Sequence, residues 1–251
     1  NNIPDEWLIR GNDLDDLEEA IQEVDLQKRL RVLRRMESYM TCYPPYWYFV
    51  GRTEQGLGHL SEAARTYRQL AVLGEGHFRR DDMLAAATAN RAVILAVSGD
   101  PEAEKVAQDA LRYSPAVWEA NLMCAQVLEK FGHTRAAEDA ILRNLDVDME
   151  KQRSGVALLG LYYRQDRVRD MALALAGEEF IESVPVLSIV QCAQKLGPAR
   201  TPPAAIARLR KSLRVAIDSR FGKDDVLVAC QPGWQAELAR VQLLLPGQDA
   251  S

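Results

Sequence analysis

Three histidines, four cysteines and the carboxylate pairs Asp81-Asp82 and Glu178-Glu179 are among the residues of this chain suited to chemistry. His59 and His133 stand in matching contexts, Leu57-Gly58-His59 and Phe131-Gly132-His133. They recur with the chain instead of converging on one place, whereas a general base needs an oriented acid and a nucleophile beside it. His77 lies in a separate stretch, Gly74 to Asp82, next to Phe78, Arg79 and Arg80. That stretch reads as a surface loop, and those four residues as a candidate contact with a partner. Cys42, Cys124, Cys192 and Cys230 are scattered without CxxC spacing, which predicts neither a zinc site nor a disulfide framework. Free thiols of this kind fit a reducing compartment, most simply the cytoplasm. Asp81-Asp82 and Glu178-Glu179 have no third ligand at useful spacing and read as solvated charges. No glycine-rich phosphate loop, HExxH or GxSxG motif occurs. The residues predict no catalytic, metal or cofactor site: the chain reads as non-enzymatic.

The elements that would carry any site are clearer. A small residue is followed 11 or 12 positions later by an alanine, four times: Gly51 and Ala63, Ala92 and Ala103, Ala125 and Ala137, Gly160 and Ala172. Successive alanines are 40, 34 and 35 residues apart. Such a period predicts stacked helical hairpins, each narrow where its small residues meet and unable to bury its apolar face alone. The turns share the register. Gly58, Gly99 and Gly132 suit a left-handed residue closing the first helix, and Pro101 suits the first turn of the next. The fourth turn, Gln165-Asp166-Arg167, has no glycine.

Trp47-Tyr48-Phe49-Val50-Gly51 matches the Trp-x2-Leu-Gly opening of the tetratricopeptide (TPR) repeat, although Glu54 stands where that family favours tyrosine. Tyr67, Pro115, Ala125 with Leu128, and Gly160 with Tyr163 fall at further places of the pattern. Over about residues 44–180 the chain therefore resembles the TPR superfamily. The resemblance implies a mainly α, right-handed α-solenoid whose first helices line a concave groove that binds other proteins. Steps around those helices from the small residues give the candidate groove: Tyr48, Arg52 and Gln55; Ala89, Val93 and Ala96; Leu122, Gln126 and Glu129; Ala157, Leu161 and Arg164. The lysine and asparagine set with which some TPR proteins clamp a C-terminal carboxylate is missing from these places.

Residues 1–43 read as a capping hairpin, started by Asn12 or Asp13 as helix cap and ended by Tyr43-Pro44-Pro45. The repeats then fill residues 44–200, with one helix expected from Glu182 to Leu196. Residues 201–251 read as a helix followed by a small β-rich appendage. Leu213, Val215 and Ile217 alternate there, and Val226–Val228 and Val241–Leu245 are short apolar runs.

Composition narrows the partners. Lys+Arg number 31 against Asp+Glu 36, and a net charge of −5 argues against nucleic acid. The basic runs at Lys28–Arg35 and Arg208–Lys211 are interleaved with leucines and read as the wet sides of amphipathic helices. No stretch reaches 18 apolar residues, so no membrane span is expected. The expected function is a scaffold or adaptor that holds a protein or peptide in its groove. Two alternatives remain at this stage. The visible start, Asn1-Asn2-Ile3-Pro4, fits a segment of a larger enzyme or of a membrane or secretion machine, in a regulatory role. Imperfectly capped solenoid ends would instead give a homo-oligomer. The chain's own C-terminal segment is a competing occupant of the groove.

Overall fold

The computed structural model describes residues 9–74, 81–197 and 199–220, the last eight as backbone. The described residues are almost wholly helical and contain no strand. They divide into two compact units, Asn1–Arg143 and Asn144–Ser251.

The first unit is a succession of antiparallel helix pairs. It runs α1 (Gly11–Gln22), α2 (Leu26–Met40), α3 (Pro44–Gly56), α4 (Leu60–Gly74), α5 (Asp82–Val97), α6 (Glu102–Tyr113), α7 (Trp118–Lys130) and α8 (Thr134–Leu145). Local chemistry sets the helix starts. Asp25 accepts the backbone N–H groups of Gln27 and Lys28 at 2.9 and 3.1 Å, filling two donors that a helix start leaves unpaired. Pro44 opens α3, where its missing N–H costs nothing. Asp13 is not the cap of α1. The helix begins at Gly11, and the Asp13 carboxylate reaches back to accept the N–H of Arg10 at 2.8 Å. One apolar cluster runs from Leu17 through Leu33, Met36 and Met40 to Tyr46, Trp47, Tyr67 and Ile94. Its aromatic members also anchor the backbone: Tyr46 donates to the Leu33 carbonyl at 2.9 Å and Trp47 to that of Thr41 at 2.8 Å.

The second unit comprises α9 (Lys151–Arg164), α10 (Val168–Ala176), α11 (Glu178–Ser183), α12 (Val186–Leu196) and α13 (Pro203–Arg220). The single helix expected over Glu182–Leu196 is instead divided, because Pro185 sits at the α11–α12 break in extended backbone. Leu213, Val215 and Ile217 lie inside α13, so the expected strand there is absent. Leu213 stands four residues beyond buried Leu209, itself four beyond buried Ala205; this helical row competed with the period-two pattern and won. Residues 226–228 and 241–245, the other expected strands, lie outside the described residues.

The hairpin turns repeat one geometry. Gly58, Gly99 and Gly132 have φ of 78°, 76° and 86°, and Asp166 takes the same left-handed place at 55°. In each, the N–H of the following residue closes on a carbonyl five positions back: His59 to Glu54, Asp100 to Leu95, His133 to Leu128, and Arg167 to Tyr162. Counting from these turns fixes the register of every hairpin. The small place of the first helix falls seven residues before the turn, at Gly51, Ala92 and Ala125, as expected. In the α9–α10 hairpin it falls on Leu159, and its partner place on Met171, one residue before Gly160 and Ala172. Burial agrees: Leu159 and Met171 are fully buried while Gly160 and Ala172 are half-buried.

Candidate protein-interaction face

The fixed register defines three rows of equivalent positions along the first helices of the first unit. Three residues before the small place stand Tyr48, Ala89 and Leu122; one after it, Arg52, Val93 and Gln126; four after it, Gln55, Ala96 and Glu129. Tyr48, Val93 and Leu122 are half-buried, Arg52 and Gln126 exposed, Gln55 and Glu129 half-buried, and Ala89 and Ala96 buried. The middle of the face is therefore small and apolar, flanked by polar side chains. Ala89 and Ala96 serve as floor beneath Val93 and do not present themselves to a ligand.

The first hairpin supplies the polar end. Tyr67 sits on Gly51: a Cβ built there would lie 2.5 Å from the Tyr67 ring, so only glycine admits that side chain. The Tyr67 hydroxyl then donates to Oε1 of Gln55 at 2.9 Å. This holds the amide in place on the row next to Arg52. Burial raises the ionisation of both Tyr46 and Tyr67 well above the ordinary tyrosine range, so each stays a neutral donor. Tyr48 packs edge-on against Phe49, with ring centroids 5.6 Å apart.

In the second unit, Leu161 is buried in the core, which removes it from the candidate surface; Arg164 is exposed and Ala157 half-buried. The one-residue shift places Val156, Gly160 and Tyr163 in the equivalent rows instead. Val156 and Tyr163 are exposed, and the Lys195 ammonium lies 4.4 Å from the centre of the Tyr163 ring. Reading the turn from Asp166, a residue tolerated in left-handed backbone, would have found them. His77, Phe78, Arg79 and Arg80 lie outside the described residues.

Several of the other residues singled out by their chemistry have structural partners. His133 Nε2 lies 3.0 Å from Glu104, and His59 is exposed at the matching turn. Asp81 caps α5 by accepting the Leu84 N–H, and Asp82 accepts the Ser114 hydroxyl at 2.5 Å. Glu179 pairs with Lys151 at 2.6 Å. Burial pushes the Cys124 thiol up to about 12 and that of Cys192 to about 11, far from the thiolate that a reactive cysteine needs. No group of metal-ligating side chains occurs among the described residues, nor does any helix long and apolar enough to cross a membrane. Within the basic run of α2, Arg34 is not a merely solvated charge: it pairs with the buried Glu54 at 2.5 Å.

Several solved structures share this arrangement of helices. A MamA double mutant from strain RS-1 superposes with a TM-score of 0.53 at 16% identity, over 68% of this chain and 90% of that one. A further MamA structure gives 0.53 at 14% identity, over 82% and 94%. BtubC from P. vanneervenii gives 0.50 at 16% identity, over 82% and 94%. No protein-family model matches the sequence, and no curated protein does. Identities this low establish a shared fold, that of TPR-like helical solenoids, and nothing of what is bound.

Proposed function

We propose that the chain is a TPR-like adaptor, a right-handed solenoid that holds a segment of another protein against the first helices of its first unit. One observation carries the reading: Val93 and Leu122 stand half-buried over a floor of alanines, with polar residues on either side. An apolar floor with a polar rim is the anatomy of a peptide-binding groove. Covering about 200 Å² of apolar surface there contributes roughly 5 kcal/mol before ordering costs. No described group is arranged for catalysis, and a binding role asks for none. Photo-crosslinking in cells tests the face. A benzophenone amino acid at Leu122 is expected to give a discrete adduct with a partner protein. The same probe at Gln69, exposed on α4, is expected to give none. Val93→Glu, which leaves the core intact, should abolish the adduct at Leu122. Equal labelling from both positions, or an adduct indifferent to Val93→Glu, overturns the proposal.

A further inference from the structure

The rows along this face are not uniform, and their order carries information about what lies on them. At the position one after the small residue, the hairpins read Arg52, Val93, Gln126; four after it they read Gln55, Ala96, Glu129. Cation and amide stand at the first hairpin and apolar residues at the second. Among the described arginines of the first unit, four are ion-paired: Arg34 with Glu37 and Glu54, Arg65 with Glu62, Arg91 with Glu102 and Arg112 with Asp109. Arg52 is exposed, and its guanidinium makes no ion pair or hydrogen bond among the described residues. Beside it, Tyr67 fixes the Gln55 carbonyl oxygen by donating to it, which leaves the Gln55 amide N–H groups as the available end of that side chain. A planar guanidinium and an oriented amide on adjacent rows form a donor pair suited to a carboxylate.

Resting on the binding face proposed above, we infer that its occupant is an apolar segment bearing an aspartate or glutamate at one end. The carboxylate sits at Arg52 and Gln55, and the apolar side chains sit over Val93 and Leu122. This fixes the direction in which the segment runs. Neighbouring packed helices lie roughly 10 Å apart, and an extended chain covers that in about three residues. The recognised pattern is therefore an acidic residue about three positions from the first of two aliphatic or aromatic anchors.

Selection of a displayed random 12-residue peptide library on the purified full chain tests this. The wild type is expected to enrich peptides with Asp or Glu at a constant spacing from apolar anchors. Arg52→Glu, an exposed substitution whose folding is checked by circular dichroism, should bind those peptides about tenfold more weakly. Selection on that variant should exchange the acid for Lys or Arg and retain the anchors. Peptides that Arg52→Glu binds within about twofold of wild type, yet Val93→Glu loses, overturn this inference and leave the face standing. Peptides that Val93→Glu also retains overturn both. Self-association that Arg52→Glu abolishes would make a second copy of the chain the occupant, and would likewise overturn it.

Discussion

At the scale of single residues, Glu54 is the departure with the largest consequence. Its side chain is 1% exposed, and a carboxylate so buried must have its lone pairs and charge answered. Arg34 of α2 lies 2.5 Å from Oε1, and the Thr66 hydroxyl of α4 donates to Oε2 at 2.7 Å. One α3 side chain thus ties three helices together where the TPR pattern favours tyrosine. The sequence shows that departure plainly, but its partners stand 20 and 12 residues away, at distances that no local pattern encodes. Removing one partner of such a pair leaves the other stranded. Arg34→Met is therefore expected to cost about 2–3 kcal/mol, less than a wholly buried pair because Arg34 itself is partly solvated. Adding Glu54→Met should recover more than half of that loss in guanidinium denaturation. An undiminished deficit in the double variant would show that the stranded carboxylate is not its cause.

At the scale of helices, glycine placement was the most legible signal and also the source of the main error. Gly58, Gly99 and Gly132 mark three turns because a left-handed residue costs a Cβ-bearing side chain about 1 kcal/mol or more. The α9–α10 turn escaped this rule, since Asp166 adopts the same conformation. With no glycine to count from, the alternation of small residues shifted the hairpin onto Gly160 and Ala172. The close approach in α9 is made elsewhere, at Gly155. A Cβ there would lie 2.5 Å from Cγ1 of Val184 and 3.3 Å from the Phe180 ring. At Gly160 the neighbour is Nη1 of Arg164 at 3.0 Å, the mobile end of a long side chain. The two alanine substitutions should therefore have opposite signs. Gly155→Ala is expected to destabilise by about 1–3 kcal/mol through overpacking. Gly160→Ala should stabilise by roughly 0.5–1 kcal/mol through helix propensity. Urea denaturation of the pair decides it, and equal losses at both sites would restore Gly160 as the narrow point. The strand expected over Leu213, Val215 and Ile217 was misread for a related reason: in a short apolar run, period two and period 3.6 coincide often enough that only packing separates them.

At the scale of the molecule, the chain's division into two units bears on where binding resides. Hairpin repeats gain stability mainly from immediate neighbours, so a run of them tolerates truncation at a hairpin boundary. The first unit's principal cluster begins at Leu17 and is closed by Ile94, with Tyr113 packed against it, so among the described residues its members and packed neighbours all lie at or before the end of α6. The later hairpins are held to it by side chains that cap helix ends. Lys130 of α7 donates to the Ala96 carbonyl at the end of α5, and Arg143 of α8 donates to that of Leu111 in α6 at 2.8 Å. Each places a cation where carbonyls at a helix C-terminus have no intrahelical partner. A fragment of residues 1–147 contains the cluster, both clips and all three rows of the binding face. It is expected to keep the helical circular dichroism of a folded domain, with a lower denaturation midpoint than the whole chain. It should also bind the selected acidic–apolar peptides with unchanged affinity, because Arg52, Gln55, Val93 and Leu122 all lie within it. A folded fragment that has lost those peptides would move recognition to residues beyond 147. An unfolded one would show that the cluster between Leu17 and Ile94 does not suffice to hold its own helices.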